Sequence, residues 1–132
     1  MSSNLSTVLS ASIVVSDATL SPPPQIVVRS LNSPTLAGTT VFYDPFLQAA
    51  SGGTTVTLPA ATCFIGYVKN LSSATNLTVA WTAVGASGSS SMLLLPGGVF
   101  IYFQPATSGG GFTAMTVTAA SGTCSCEVLV GA

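Results

Sequence analysis

Asn76-Leu77-Thr78-Val79-Ala80-Trp81-Thr82 decides the fold class. Leu77, Val79 and Trp81 recur at every second position and point to one side, while Thr78, Ala80 and Thr82 point to the other. A period of two belongs to a strand with one buried face. Working outward, short apolar or alternating runs recur at 13–15, 26–29, 39–43, 54–58, 63–69, 92–95, 99–104, 112–119 and 124–130, and each stops at Gly, Pro, Asn, Ser or a similar breaker. No stretch sustains the helical period of 3.6 residues. Runs spaced roughly ten residues apart predict an all-β chain, a β-sandwich or jelly roll of about eight to ten short antiparallel strands with an N-terminal arm.

Val99-Phe100-Ile101-Tyr102-Phe103 breaks the alternation by being apolar on both faces. A strand of that kind is either central or covered on its second face by something outside the domain. These five residues are therefore the candidate subunit interface. Asp44-Pro45 ahead of Phe46-Leu47-Gln48-Ala49-Ala50 carries the one helix-start signal, an N-cap acid followed by proline at the first helical position, and predicts one or two helical turns. Pro96-Gly97-Gly98 predicts a tight turn, and 87–91 and 108–111 read as loops. Residues 1–24 differ from the rest, ending in Ser21-Pro22-Pro23-Pro24, a stiff spacer excluded from any central strand. The expected division is an arm or first strand over 1–24 and a β-sandwich over 25–132.

The 132 residues include two Lys plus Arg and three Asp plus Glu, 4% charged in all, where soluble domains usually carry about 25%. The five are Arg29, Lys69, Asp17, Asp44 and Glu127. The polar surface must come instead from 19 Ser and 17 Thr. With 48% hydrophobic residues the chain folds, yet near-zero net charge removes the repulsion that keeps monomers apart. An uncharged surface is also one that can be buried against a neighbour without stripping water from ions. The expected partner is therefore the chain itself, in a homo-oligomer. No apolar run approaches the roughly 18 residues of a membrane span, and the first residues lack the basic and apolar regions of a secretory signal. Synthesis in the cytoplasm and no membrane partner are the corresponding expectations.

The chemistry that composition excludes is broad. The chain has no His, which removes Ser-His-Asp and Cys-His relays and the side chain best suited to proton transfer near neutral pH. Two basic residues 40 positions apart do not make a phosphate-binding surface, so nucleic acid is not an expected partner. No Gly-x-Gly-x-x-Gly or P-loop is present. The expectation is no enzyme, no catalytic residue, no metal and no cofactor. Cys63, Cys124 and Cys126 carry two readings. A Cys-x-Cys on a strand puts both sulfurs on one face, within reach of one soft metal ion; buried reduced thiols packed as small hydrophobes are the plainer alternative. Trp81, Tyr43 and Tyr67 are candidate glycan contacts by ring stacking, although Trp81 shares its face with Leu77 and Val79 and so also reads as core.

Three stretches carry a family resemblance: Tyr67-Val68-Lys69-Asn70-Leu71-Ser72, Leu77-Thr78-Val79-Ala80-Trp81, and Leu93-Leu94-Leu95-Pro96-Gly97-Gly98-Val99-Phe100-Ile101. A strand ending in Asn-Leu, a Val- and Thr-rich strand, and a Pro-Gly-Gly turn into an apolar strand resemble the pattern of small virion structural proteins of tailed bacteriophages. The resemblance covers about residues 63–104 and carries no catalytic or ligand residue. It implies a capsid decoration or cement subunit in the virion, commonly a homotrimer, with capsid or tail proteins as partners. A fibre or spike subunit binding a host-surface glycan is the second expectation, and a cellular surface-layer or filament subunit the third.

Overall fold

Two sheets of four strands face each other in a computed structural model, which describes residues 40–104 and 109–132. The elements are β1 (Val41–Ala50), β2 (Thr54–Thr55), β3 (Ile65–Asn70), β4 (Leu77–Ala83), β5 (Ser90–Leu94), β6 (Val99–Phe103), β7 (Phe112–Ala119) and β8 (Thr123–Gly131). One sheet has the order β1-β8-β3-β6 and the other β2-β7-β4-β5. Every pairing is antiparallel. The pairing is nested, β1 with β8, β2 with β7, β3 with β6 and β4 with β5, as in a long hairpin rolled over on itself. All described residues lie in the compact unit Gly38–Ala132. The runs expected at 13–15 and 26–29, the arm and the Pro-rich spacer lie outside the described residues.

The alternation in β4 behaves as its residues require. Leu77 and Val79 are fully buried, and the buried apolar side chains of β8 are those of Cys124, Cys126, Val128 and Val130. From the facing sheet come Val117, Met115 and Phe112 of β7, also buried. Inner faces of alternating residues from two sheets thus make one core, as a sandwich requires. At one place the aromatic rings bridge the sheets. Trp81 of β4 stacks obliquely on Phe100 of β6 at 4.8 Å, and Tyr102 meets Phe112 edge-on at 5.1 Å. Gly66 makes room there, since a Cβ at that position would lie 2.9 Å from Met115 Cε and 3.4 Å from Tyr102 Cβ.

Three expectations change. The helix predicted over Asp44–Ala50 is absent, and those residues continue β1. Phe42 and Asp44 turn inward before Pro45, Leu47 and Ala49 after it, and the register with β8 shifts between Asp44 and Leu47. A bulge therefore takes the place of the helix. Asp44 Oδ1 accepts from the Phe46 N–H at 2.9 Å, and Pro45, without an N–H, is tolerated because β1 is an edge. The same Asp-Pro chemistry that starts helices is here spent on bending an edge strand. Second, the run 54–58 is a strand only at Thr54–Thr55. Third, Ser90 and Ser91, read as loop, belong to β5.

Pro96-Gly97-Gly98 forms the expected turn: the Gly98 N–H donates to Leu95 O at 2.8 Å and Gly97 has φ +76°. That conformation suits glycine at the third position of a type II turn with proline at the second.

The connection from β3 to the facing sheet is organised by Asn70, a buried polar residue of zero exposure. Its Nδ2 donates to Thr75 O at 2.9 Å and to Leu94 O and Leu95 O at 3.2 Å. Its Oδ1 accepts from the Ser72 N–H at 3.0 Å and from Cys124 Sγ at 3.2 Å. Its backbone N–H donates to Gly98 O and its carbonyl accepts from the Gly97 N–H. One side chain thus ties the β3–β4 crossing, the β5–β6 turn and β8 together. Sequence inspection reads Asn70 only as the end of a strand.

Candidate interaction surface

One end of the outer face of the β1-β8-β3-β6 sheet is apolar across all four strands, and the other carries Lys69, Glu127, Ser125 and Gln48. Registered pairing sets its residues in rows. Val41, Gly131, Ile65 and Phe103 stand side by side in one row, and Tyr43, Leu129, Tyr67 and Ile101 in the next. The third row holds Glu127, Lys69 and Val99. Val41, Tyr43, Val99, Ile101 and Phe103 are all exposed, Ile101 by 48% and Tyr43 by 53%, while Ile65, Tyr67 and Leu129 are half-buried. A single exposed Leu is ordinary, but contiguous apolar side chains filling a sheet face mark an interaction site.

The opposite outer face differs in kind. On β2-β7-β4-β5 the outward positions are mainly Thr55, Thr116, Thr118, Thr78, Thr82 and Ser91, in register across the sheet. Leu93, 58% exposed, interrupts that hydroxyl surface at its edge. Among the described strands, hydroxyl side chains therefore line one outer face of the sandwich and apolar side chains much of the other.

Of the five residues assigned to an interface from sequence, Val99, Ile101 and Phe103 lie on the apolar outer face. Phe100 and Tyr102 do not: Phe100 is 3% exposed in the core, and Tyr102 packs inward with its hydroxyl donating to Gly111 O at 3.1 Å. Strand alternation forces the split, since neighbours must point to opposite faces. The sequence reading missed Val41, Ile65 and Leu129. The signal was present, because Ile65-Gly66-Tyr67-Val68 and Val128-Leu129-Val130 lack polar residues on either face, as β6 does.

Charge enters this surface sparingly. Glu127 sits between two tyrosines, its Oε1 accepting from the Tyr43 hydroxyl at 2.8 Å and its Oε2 from the Tyr67 hydroxyl at 3.4 Å. The hydrogen bond to Glu127 holds the Tyr43 phenol above its ordinary range; burial, then Glu127, does the same for Tyr67. Both tyrosines stay neutral donors, and the carboxylate is held at the face by its partners. Trp81, the third candidate glycan contact, packs on Phe100 toward the core, so the structure brings Tyr43 and Tyr67 together and leaves Trp81 elsewhere.

Cys124 and Cys126 share the inward face of β8, as their spacing predicts, and all three thiols are free and buried. Cys126 Sγ lies 3.5 Å from Leu47 O. Burial pushes its thiol up to about 12, with Cys124 and Asp44 adding to the effect, and burial raises Cys63 as well. Among the described residues no group of three or more His, Cys, Asp or Glu is placed to hold a metal. Because a thiolate is the reactive form, a disulfide-based thiol reagent is expected to leave the folded protein unlabelled at pH 8 and to label three thiols per chain in denaturant. The raised values also set a direction for alkaline pH. Stability from the neutral Cys126 thiol is fully present below the unfolded value of 9 and declines as pH rises through about 12. Melting temperature is therefore expected to fall across that window, and a flat profile from pH 9 to 11.5 would contradict the buried placement.

No family model and no curated protein matches this chain. Among solved structures, one described by the words "Bacillus endospore appendages form a novel family of disulfide-linked pili" aligns with a TM-score of 0.48 at 12% identity, over 78% of this chain and 96% of that chain.

Proposed function

We propose that this chain is a non-enzymatic structural subunit that associates with copies of itself by burying the outer face of its β1-β8-β3-β6 sheet. The observation that carries the proposal is the set of aligned rows: Val41, Ile65 and Phe103, then Tyr43, Leu129, Tyr67 and Ile101. Removing such surface from water is favourable at roughly 25 cal/mol per Å², and only Lys69 and Glu127 among the rows bring charge that must be desolvated. The resemblance of residues 63–104 to small virion proteins of tailed bacteriophages supplies the setting: a decoration or cement subunit in the virion, stabilising or coating the head. Capsid or tail proteins are then its further partners. A homotrimer is what that resemblance implies, whereas the apolar face itself selects no copy number.

The deciding measurement is the native mass of the full chain by light scattering at low and high salt. An oligomer whose mass is unchanged by salt is expected, because an uncharged interface has little to screen. A stable monomer at both ionic strengths would remove the proposal. Attachment to bare capsids should be equally insensitive to salt, and a steep loss between low and high salt would count against the decoration role.

The pairing of Tyr43 and Tyr67 around Glu127 favours one second reading, a fibre or spike subunit that holds a host-surface glycan with stacked rings and a carboxylate acceptor. Glycan-array hits that disappear on replacing Tyr67 with alanine would favour it over the first.

A further inference from the structure

β6 is an edge strand, and among the described residues it pairs with β3 alone. The ladder shows which of its backbone groups are already used. Asn70 N–H donates to Gly98 O, and Gln104 N–H to Phe64 O, each at 2.9 Å. By the alternation of an antiparallel ladder, Phe100 and Tyr102 direct their N–H and C=O groups to β3. Val99, Ile101 and Phe103 direct theirs away from it, and the same three side chains stand on the exposed apolar face.

Edges of this kind invite pairing with another chain and are usually blunted. β1, at the far side of the sheet, is interrupted by Pro45 and a bulge, and β2 is two residues long. β6 has no proline, charge or bulge. Its sequence is moreover complementary to itself when reversed.

From this geometry we infer that β6 pairs antiparallel with β6 of a second copy of this chain, about a two-fold axis at Ile101, joining two four-stranded sheets into one. The inference rests on the self-association proposed above and adds to it a second contact, along the edge of the sheet rather than across its face. In that register Ile101 faces Ile101, and Val99 faces Phe103 of the other copy. All three outward-directed residues then exchange hydrogen bonds, and the facing pairs are the β-branched and aromatic combinations that stabilise neighbouring strands. No charge is brought to the seam. The row Tyr43, Leu129, Tyr67, Ile101 runs directly into its own copy, so the apolar face doubles without a break. A partner of unrelated sequence has no reason to reproduce that alignment, whereas a second copy does so by symmetry.

The test uses the full chain with single substitutions. Residues directly opposite in a hydrogen-bonded antiparallel pair have Cα atoms about 5.5 Å apart, within disulfide range. Ile101→Cys should therefore form an interchain disulfide on mild oxidation. Val99→Cys, whose own copy lies four residues along the partner strand at about 13 Å, should do so at least tenfold more slowly. The native thiols are buried and do not compete. Ile101→Pro removes only an outward N–H and puts the ring in the path of the added strand, so the native mass should halve while the thermal melt persists. Equal cross-linking of the two cysteine variants, or a wild-type mass that is an odd multiple of the chain, overturns the seam and leaves association through the face intact. If wild type is monomeric, the proposed function falls with it. Should Ile101→Pro fail to fold, the cysteine pair still decides.

Discussion

Replacing Asn70 with aspartate is expected to lower stability by about 4 kcal/mol at pH 7, a fall of about 20 °C in melting temperature for a domain of this size. The side chain has five hydrogen-bond partners, and its two amide protons are shared among the carbonyls of Thr75, Leu94 and Leu95. A carboxylate has no proton to donate, so it would face three acceptors in a site of zero exposure. Leaving buried carbonyls unpaired costs about 1–3 kcal/mol for each group, and burying the new charge adds to that. Burial raises the acid's folded pKa above its unfolded value, so the variant's stability is greatest at acidic pH and is lost as pH rises through the folded value. Melting curves from pH 4 to 8 should therefore diverge from wild type with increasing pH. An aspartate variant as stable as wild type at pH 7 would show that Asn70 is not the organising residue of the crossing.

Asn70 also shows where sequence reading stops. Alternation at Leu77, Val79 and Trp81 identifies a strand because a strand's two faces are a local property, and the same logic reaches β3, β6, β7 and β8 within a few residues. It identifies the turn at Pro96-Gly97-Gly98 for the same reason. It does not reach Asn70, whose partners lie 24 and 25 residues away at Leu94 and Leu95 and 54 away at Cys124; nothing local distinguishes a strand-ending asparagine from a buried hub. Asp44-Pro45 misleads in the opposite direction. Its local chemistry is that of a helix start, but the pairing of Val41–Ala50 with the whole length of β8 outweighs a preference worth about 1 kcal/mol.

The candidate surface is legible in part, and for a definable reason. A strand apolar on both faces announces that something covers its outer side, and Val99–Phe103 gives that signal clearly. Which alternate residues face outward is settled only by the phase of the strand relative to the core, and here the phase sends Phe100 and Tyr102 inward. The rest of the surface depends on neighbours that no local pattern supplies. Val41, Ile65 and Leu129 become one surface with Ile101 and Phe103 because β8 and β3 lie between the two edge strands. The nested pairing carries the last strand to the side of the first, and a surface is created from four separate segments.

Leu129→Lys, at the centre of that surface, is expected to reduce self-association at least a hundredfold while leaving the fold unchanged. Leu129 stands between Tyr43 and Tyr67 in register and points away from the core, which its neighbours Val128 and Val130 enter. In the separated subunit a lysine there keeps its ammonium in water and lays its methylenes along the tyrosines, so the melt of the monomer should shift little. Once the face is covered, the same ammonium must be desolvated. Glu127 is the nearest acid on this face by sequence, and it already accepts from both tyrosine hydroxyls. A hundredfold loss corresponds to about 2.7 kcal/mol, below the 3–5 kcal/mol that an unpaired buried charge usually costs. The companion substitution Thr78→Lys, on the hydroxyl face of the other sheet, introduces the same charge and should leave the native mass unaltered. Sedimentation equilibrium on the two variants separates the faces. Equal losses from both would mean that net charge, rather than the apolar face, governs association, and no loss from Leu129→Lys would move the contact off this face.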